Sequence, residues 1–242
     1  MAEDLVYHDG AQLCRGMIAV PDPAAHGTGP YPGVVAVHEA WGLGQQVQRR
    51  IAMLADLGYV ALAADIFGDR HIPANPPEAF EIIGKWLADR PALRQRAGAA
   101  VSALKAHTAC DGRVAAIGYC FGGSTVLELA RAGNPDVLGV VSFHGALDTP
   151  TPAEAGTVTA RILVCHGAED PLVPHEQLNG FLAEMAAAGA DCTTIAYTGA
   201  MHSFTNPEAN GSILPGVIYH ERTDHRSWAA MQDFFAREVF TS

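Results

Sequence analysis

The stretch Ile117-Gly118-Tyr119-Cys120-Phe121-Gly122-Gly123 joins a short apolar run to a turn edged by glycines. Its centre has the form G-x-C-x-G, which is typical of a sharp turn from a buried strand into a helix. Such a turn strains the central residue, and its neighbours must be small to avoid the adjoining chain. It also places Cys120 at a helix N-terminus, where negative charge is favoured. We therefore predict a strand, a turn and a helix with Cys120 as candidate nucleophile; a cysteine that only packs at the turn is the alternative.

Strand and helix patterns alternate along the rest of the chain. We expect strands over 14–20, 34–38, 59–64, 114–118, 137–143, 161–166 and 192–197. We expect helices over 45–57, 92–107, 123–132, 175–188 and 227–240. This alternation predicts an α/β fold with a mostly parallel central sheet and helices on both faces, and the first strand pairs at the start of that sheet. Active sites of such sheets lie at the carboxyl ends of the strands.

Length and composition are those of one folded domain. The chain has 242 residues, of which 49% are hydrophobic and 17% are charged. At this size a single α/β domain over residues 1–242 can bury a substantial core. The excursion between Asp65 and Ala92 is too short for a large cap domain, so we expect an open cleft that suits small substrates.

Charge and cysteine content narrow the possible partners and compartments. The net charge of −11 repels polyanions, so we expect no nucleic-acid partner. We expect no membrane association either, because no stretch has the roughly 18 to 20 apolar residues of a span. The acidic N-terminus lacks a signal-peptide core, and the five scattered cysteines form no disulfide framework. We expect a cytoplasmic monomer or homodimer with reduced thiols.

An acid and a histidine follow Cys120 in the order that this sheet type requires. Asp170 and His202 each come shortly after a predicted strand, so both belong to the edge of the sheet that holds the candidate nucleophile. Glu169, beside Asp170, and Asp148, after the preceding strand, are rival carboxylates. We favour Asp170 as the acid because all three roles then fall at expected strand ends.

Other histidines also stand at predicted strand ends. His38, His144 and His166 could line the cleft without reacting. His38-Glu39 lacks the second histidine of a zinc-binding H-E-x-x-H motif, because Gly42 occupies that place. No phosphate-binding glycine loop occurs in the sequence. We therefore expect neither a metal nor another cofactor.

The loop after the 34–38 strand would supply part of an oxyanion hole. The backbone N–H groups of Phe121 and Ala40 are the candidate donors. Glu39 is unusual, because a carboxylate beside a nucleophile is costly unless it is paired or functional. A helix-capping or salt-bridged residue is the alternative interpretation of Glu39.

Four motifs together resemble the dienelactone hydrolase family (carboxymethylenebutenolidases) of the α/β-hydrolase superfamily. They are VVAVHEAWGL (34–43), GYCFGG (118–123), CHGAEDPLVP (165–174) and AMHSF (200–204). The resemblance spans nearly the whole chain and implies an α/β-hydrolase fold.

The resemblance also implies roles for particular residues. It implies a catalytic triad of Cys120, Asp170 and His202, with Glu39 interacting with the thiol and influencing when it ionises. We expect three further residues to contact the substrate, namely Trp41, Tyr119 and Asn206.

One position departs from the family pattern. Family members that act on dienelactone are expected to carry an arginine shortly after the histidine, where this sequence has Asn206. An amide cannot supply the charge that binds a substrate carboxylate. Arg70, His71 and Arg90 are the candidate replacements.

These features predict a cysteine-nucleophile hydrolase of a small ester or lactone. A non-catalytic ligand-binding or sensor protein of the same fold is the alternative from another class, and the complete triad argues against it. A thiol-redox protein is a third, less favoured hypothesis, since no C-x-x-C motif gives Cys120 a resolving partner.

Overall fold

Runs of small and β-branched residues form the inner strands of this protein, whose computed structural model describes residues 2–241. Every residue of the strands Val60–Ala64 and Gly139–Phe143 is buried. Because successive side chains on a strand point to opposite faces, this complete burial means that both faces of these strands are covered.

Eight strands and seven helices make up the regular structure of residues 2–241. The strands are Glu3–Asp9 (β1), Gln12–Ala19 (β2), Tyr31–Val37 (β3), Val60–Ala64 (β4), Cys110–Tyr119 (β5), Gly139–Phe143 (β6), Arg161–Gly167 (β7) and Cys192–Tyr197 (β8). The helices are Pro23–His26 (α1), Gln45–Asp56 (α2), Pro76–Ala88 (α3), Arg90–Lys105 (α4), Phe121–Arg131 (α5), His175–Ala188 (α6) and Glu221–Phe234 (α7), and a π-helical turn over Phe235–Val239 follows α7.

The strands form one eight-stranded sheet in the order β1-β2-β4-β3-β5-β6-β7-β8. β2 is antiparallel to both β1 and β4, whereas the pairs β3 and β4, β6 and β7, and β7 and β8 are parallel. The predicted mostly parallel α/β sheet is therefore confirmed.

The chain divides into two compact units, Met1–Ile117 and Gly118–Ser242. In the first unit, α2 packs against β2, β3 and β4, and α4 packs against β1, β3 and β4. The second unit has α5 on β6 and β7, and α7 on β7. The prediction of a single domain stays a prediction. None of the helices described over residues 2–241 combines the length and apolar character needed to cross a membrane.

The buried carboxylate of Asp65 organises the loop after β4 in the first unit. Its oxygens accept hydrogen bonds from the backbone N–H groups of Arg15 (2.8 Å), Gly68 (2.9 Å) and Arg70 (2.7 Å). A carboxylate with several N–H donors offsets its own desolvation and fixes the loop.

In the second unit, α5 lies entirely in the interior. All eleven of its residues are buried, including two charged ones. The Arg131 guanidinium pairs with Glu128 at 3.1 Å and with Glu184 of α6 at 2.8 Å. The two buried charges of α5 are thus compensated, as buried ions must be.

The sequence prediction lacks strand β1, helix α3 and the four-residue helix α1, which buries no residue. Strand β1 exposes most of its side chains and buries only Tyr7, so it lacks an apolar pattern. Helix α3 begins with Pro76 and Pro77, which resemble a loop in sequence but are tolerated in the first turn of a helix capped by Asn75.

Several helix boundaries also differ from the prediction. Helix α5 begins at Phe121, two residues earlier than predicted, and α7 begins at Glu221 rather than at 227. The first turn of α7 is polar even at its buried residues Thr223 and Asp224, so it gives little hydrophobic signal.

Glycines allow the sharp turn between β5 and α5. A Cβ built on Gly118 would lie 1.9 Å from the carbonyl oxygen of Gly122. A Cβ on Gly123 would lie 2.7 Å from Oγ of Ser142 and 2.8 Å from Cα of Gly145. Strand and helix can therefore approach this closely only without side chains at 118 and 123.

We expect Gly118→Ala to disrupt the fold, because its new methyl group collides with main-chain atoms that cannot rotate away. The cost should exceed about 3 kcal/mol of the free energy of unfolding, the upper end for ordinary overpacking. Gly84→Ala is the matched control, since a Cβ at this α3 position meets nothing within 4 Å and should stabilise the protein by about 0.5 to 1 kcal/mol. Urea unfolding curves of both variants measure the difference, and equal midpoints would contradict it.

Candidate active site

Cys120 lies at the turn between β5 and α5, half-buried and at the N-terminus of the helix. Its backbone angles are φ 53° and ψ −116°, a conformation that costs a residue with a side chain on the order of 1 to 3 kcal/mol. The Cys120 N–H donates to the Phe143 carbonyl at 3.0 Å and to Nδ1 of His144 at 3.1 Å. The strained turn expected from the glycine spacing is present.

Asp170 follows β7 and is held by the backbone of its own loop. Its Oδ1 accepts hydrogen bonds from the N–H groups of Leu172 (2.8 Å) and Val173 (3.2 Å). Its Oδ2 lies 2.8 Å from Nδ1 of His202, and both side chains are buried. The pair orients the imidazole and fixes which nitrogen faces the acid.

The rival carboxylates lie elsewhere in the second unit. Glu169 accepts a hydrogen bond from the Gly199 N–H at 3.0 Å, and Asp148 is exposed to solvent. Among the described residues of this unit, Asp170 is the carboxylate that contacts His202.

The main chain of His202 is held from both sides. Its N–H donates to the Gly216 carbonyl, and its carbonyl accepts from the Ile218 N–H, each at 2.9 Å. On the other side, Gly167 permits close approach of the same loop, because a Cβ there would lie 2.7 Å from the Ala200 carbonyl oxygen. The loop after β8 therefore holds the imidazole of His202 in a fixed position against Asp170.

The environment of His202 favours its protonated form. Burial, the largest single effect, lowers the pKa of His202. Three interactions together outweigh burial and raise this pKa from 6.5 to about 10. They are the charge of the Cys120 sulfur, the hydrogen bond to Asp170 and the short-range contact with Cys120. Nε2 of His202 has no hydrogen bond of normal geometry within the described residues, so its attraction to the sulfur is mainly electrostatic. An imidazolium at neutral pH suits a thiolate partner.

The other four cysteines have a different character. Burial raises the pKa of Cys165 to about 12 and that of Cys192 to about 11. Burial also raises the pKa values of the Cys14 and Cys110 thiols. All four should remain protonated and unreactive at neutral pH.

The remaining strand-end histidines are buried. Burial lowers the pKa of His38 to about 4 and lowers that of His166 as well. His144 contacts the backbone of Cys120 across 24 positions of sequence. Its place at a strand end predicts only a residue that lines the cleft, and no local motif signals such a contact. Over residues 2–241, no group of three or more histidine, cysteine or acidic side chains is arranged to hold a metal.

Three predicted site residues follow β3 in the first unit. Glu39 and Ala40 are buried, Trp41 is half-buried, and the Glu39 carbonyl lies 2.6 Å from Nδ1 of His38. The roles expected of Glu39, Ala40 and Trp41 stay predictions.

Two residues predicted to contact the substrate also have structural partners. Tyr119 is fully buried and stacks on Phe143 with ring centroids 4.8 Å apart. Oδ1 of Asn206 accepts the Glu208 N–H at 3.0 Å, closing a local turn. The substrate contacts predicted for Tyr119 and Asn206 stay predictions.

Two of the three candidate replacements for the missing arginine have partners in the first unit. Arg70 bonds to the Asp4 carboxylate at 2.7 Å and the Gly16 carbonyl at 2.9 Å. His71 lies 2.9 Å from Glu78. Arg70 and His71 thus serve the first unit as structural residues.

The fold, the strained cysteine and the histidine–aspartate pair define an α/β-hydrolase. Residues 14–239 match the model of the dienelactone hydrolase family, and the chain belongs to that family. It therefore stands among the carboxylic ester hydrolases, as the sequence predicts.

Individual relatives agree with this assignment. The chain is similar to a dienelactone hydrolase-like promiscuous phosphotriesterase from metagenomic libraries, with 40% identity, a TM-score of 0.92 and 98% of each chain covered. A Yersinia pestis protein named "Putative carboxymethylenebutenolidase" is 29% identical over 91% of this chain and 82% of its own length. A dienelactone hydrolase from Anabaena variabilis, 18% identical with a TM-score of 0.69 over 97% of each chain, shares the fold.

We expect iodoacetamide at pH 7.5 to label Cys120 before the other thiols, because it is half-buried beside a cationic His202. Peptide mass spectrometry over a time course measures the order. His202→Ala should slow labelling of Cys120 about tenfold or more. Faster labelling of the half-buried Cys110 or Cys192 would contradict the expectation.

Proposed function

We propose that this protein hydrolyses small esters or lactones, with Cys120 as nucleophile, His202 as acid and base, and Asp170 as the residue that orients His202. The arrangement of Cys120 against the His202–Asp170 pair is the observation that supports it. A cysteine in a strained turn and a histidine held by a buried carboxylate are the parts that covalent acyl transfer needs.

The first half of the reaction forms a thioester. The Cys120 thiolate attacks the carbonyl carbon, and the carbonyl electron pair moves onto oxygen. We assign one N–H that holds the resulting oxyanion to Phe121, the first residue of α5. As the oxyanion collapses, the C–O bond breaks and the leaving alkoxide takes the proton from Nε2 of His202.

The second half returns the enzyme to its starting state. Neutral His202 takes a proton from water, which attacks the thioester carbon. The C–S bond then breaks, releasing the carboxylic acid and restoring the thiolate beside an imidazolium. We assign the second oxyanion N–H to Ala40 and a role in thiol ionisation to Glu39. Sequence and family resemblance alone support these two assignments.

The substrates are proposed to be small and uncharged near the ester. Asn206 stands where an arginine would bind a carboxylate, and Arg70 is already paired with Asp4. A neutral lactone should therefore be hydrolysed better than an anionic dienelactone. The proposed partner is the small-molecule substrate.

Phosphotriester hydrolysis is a second candidate activity, favoured by the similarity to the promiscuous phosphotriesterase. The same thiolate would attack phosphorus and expel an aryl oxide, and water would then release the phosphate diester. Both activities would depend on Cys120.

We expect Cys120→Ala to lower kcat/KM at least about 1,000-fold, because no other group supplies the nucleophile. The assay compares p-nitrophenyl acetate, a dienelactone, a neutral lactone and a p-nitrophenyl phosphotriester. Cys192→Ala, which removes another half-buried thiol, is the matched control and should retain full activity. Turnover that survives Cys120→Ala would sink the proposal, and ligand binding without product from the wild type would favour a binding protein.

Hydrolysis should decline at alkaline pH as His202 loses its proton, with the midpoint near pH 10 set by its raised pKa. Asp170→Asn removes a charge and a hydrogen bond that raise this pKa, so the midpoint should move to lower pH. Activity should also fall about 100- to 10,000-fold, since the imidazole loses its orientation. The exposed Asp148→Asn variant is the control, and pH profiles of kcat/KM provide the measurement. An unmoved alkaline limb in Asp170→Asn would exclude the pairing role.

A further inference from the structure

We propose that His144 is a positioning residue for the cysteine–histidine pair. Its side chain fixes two parts of the main chain. One is the elbow, the turn at Cys120 between β5 and α5, and the other is the loop that carries His202. This inference rests on the proposed function, because it concerns how Cys120 and His202 are aligned.

His144 occupies an unusual place at the end of β6. It is 1% exposed, and its φ of 42° lies in the left-handed region that few residues other than glycine adopt. Its own N–H donates to the Cys165 carbonyl at 2.9 Å. A buried histidine in a disfavoured backbone conformation persists only when its surroundings over-determine it.

The hydrogen bonds of the ring define its tautomer. The Cys120 N–H, which can only donate, lies 3.1 Å from Nδ1 of His144, so Nδ1 carries no proton. Nε2 must then carry the proton and donate it to Oγ1 of Thr205 at 2.8 Å. The ring is therefore neutral and held at both nitrogens.

These two bonds connect the candidate nucleophile to the candidate base. Thr205 is fully buried and stands three residues after His202 on the same loop. The His144 ring also packs edge-on against the His202 ring at 5.3 Å and against Phe204 at 5.0 Å. One side chain thus contacts the elbow, the imidazole and the loop beyond it.

Alignment at this point matters because Cys120 is strained and because no hydrogen bond of normal geometry from residues 2–241 holds Nε2 of His202. Loss of the Nδ1 acceptor would leave the Cys120 N–H bound only to Phe143 and would let the elbow relax. A displacement of about 1 Å between reacting groups can lower a rate by roughly 100-fold. The effect should therefore fall on kcat and on thiol reactivity rather than on substrate binding.

Three variants separate positioning from packing. His144→Asn keeps an acceptor at the position of Nδ1 and tolerates the left-handed backbone. His144→Leu keeps similar bulk without either hydrogen bond. Thr205→Val removes the acceptor for Nε2 while leaving His144 in place.

We expect kcat to fall about 30- to 100-fold in His144→Leu with KM within about twofold, and to stay within about fivefold of wild type in His144→Asn. Thr205→Val should be intermediate, with a fall of about three- to tenfold. The rate of Cys120 alkylation at pH 7.5, followed by peptide mass spectrometry, should rank the variants in the same order. Thermal midpoints report stability separately.

A merely structural role predicts a different result. A lower thermal midpoint in His144→Leu with unchanged kcat and unchanged alkylation of the folded protein would overturn the proposal, as would equal impairment of the Asn and Leu variants. Should His144→Leu not fold, wild-type kcat and alkylation in Thr205→Val would overturn it. If the wild type hydrolyses no ester, the proposed function fails, whereas alkylation rates still test the positioning role.

Discussion

A close contact between main-chain atoms at the elbow governs the candidate site. A Cβ on Gly118 would lie 1.9 Å from the Gly122 carbonyl oxygen, so β5 can meet α5 at this angle only if residue 118 has no side chain. The same angle puts Cys120 at φ 53° and at the start of a helix. Strain, helix dipole and the exposure of the thiol all follow from that geometry. Replacement of one hydrogen by a methyl group would remove the basis for each of them.

In the second unit, nearby charges outweigh the effect of burial on the pKa of His202. Burial alone would keep His202 neutral, as it does for His38. Asp170 and the Cys120 sulfur reverse this, because an opposite charge in a region of low dielectric is felt strongly. Two backbone N–H groups hold the Asp170 carboxylate in place there. The reactive pair is thus supported by the loop backbone, and the strained turn supplies the thiol.

The sequence predicts the buried strands better than the elements at the surface. Strands such as β4 and β6 were identified because burial on both faces demands an unbroken apolar run. Strand β1 and helix α3 were missed because they bury one residue each, which leaves no periodic signal. The sequence also did not predict the partners of Asn206 and Arg70. The residue type alone does not determine which backbone turn or distant carboxylate a polar side chain contacts.

The sequence by itself determined the parallel sheet, the glycine elbow and the order of Cys120, Asp170 and His202, because these depend on local sterics and on apolar periodicity. The sequence favours Asp170 over Glu169, and the tertiary structure brings Asp170 to the imidazole while Glu169 accepts the Gly199 N–H, since neighbouring residues on a loop diverge once their backbone bonds form. Tertiary structure alone decided the partners of His144. Those contacts join segments far apart in the chain, and hydrogen bonds between such segments leave no pattern in either one.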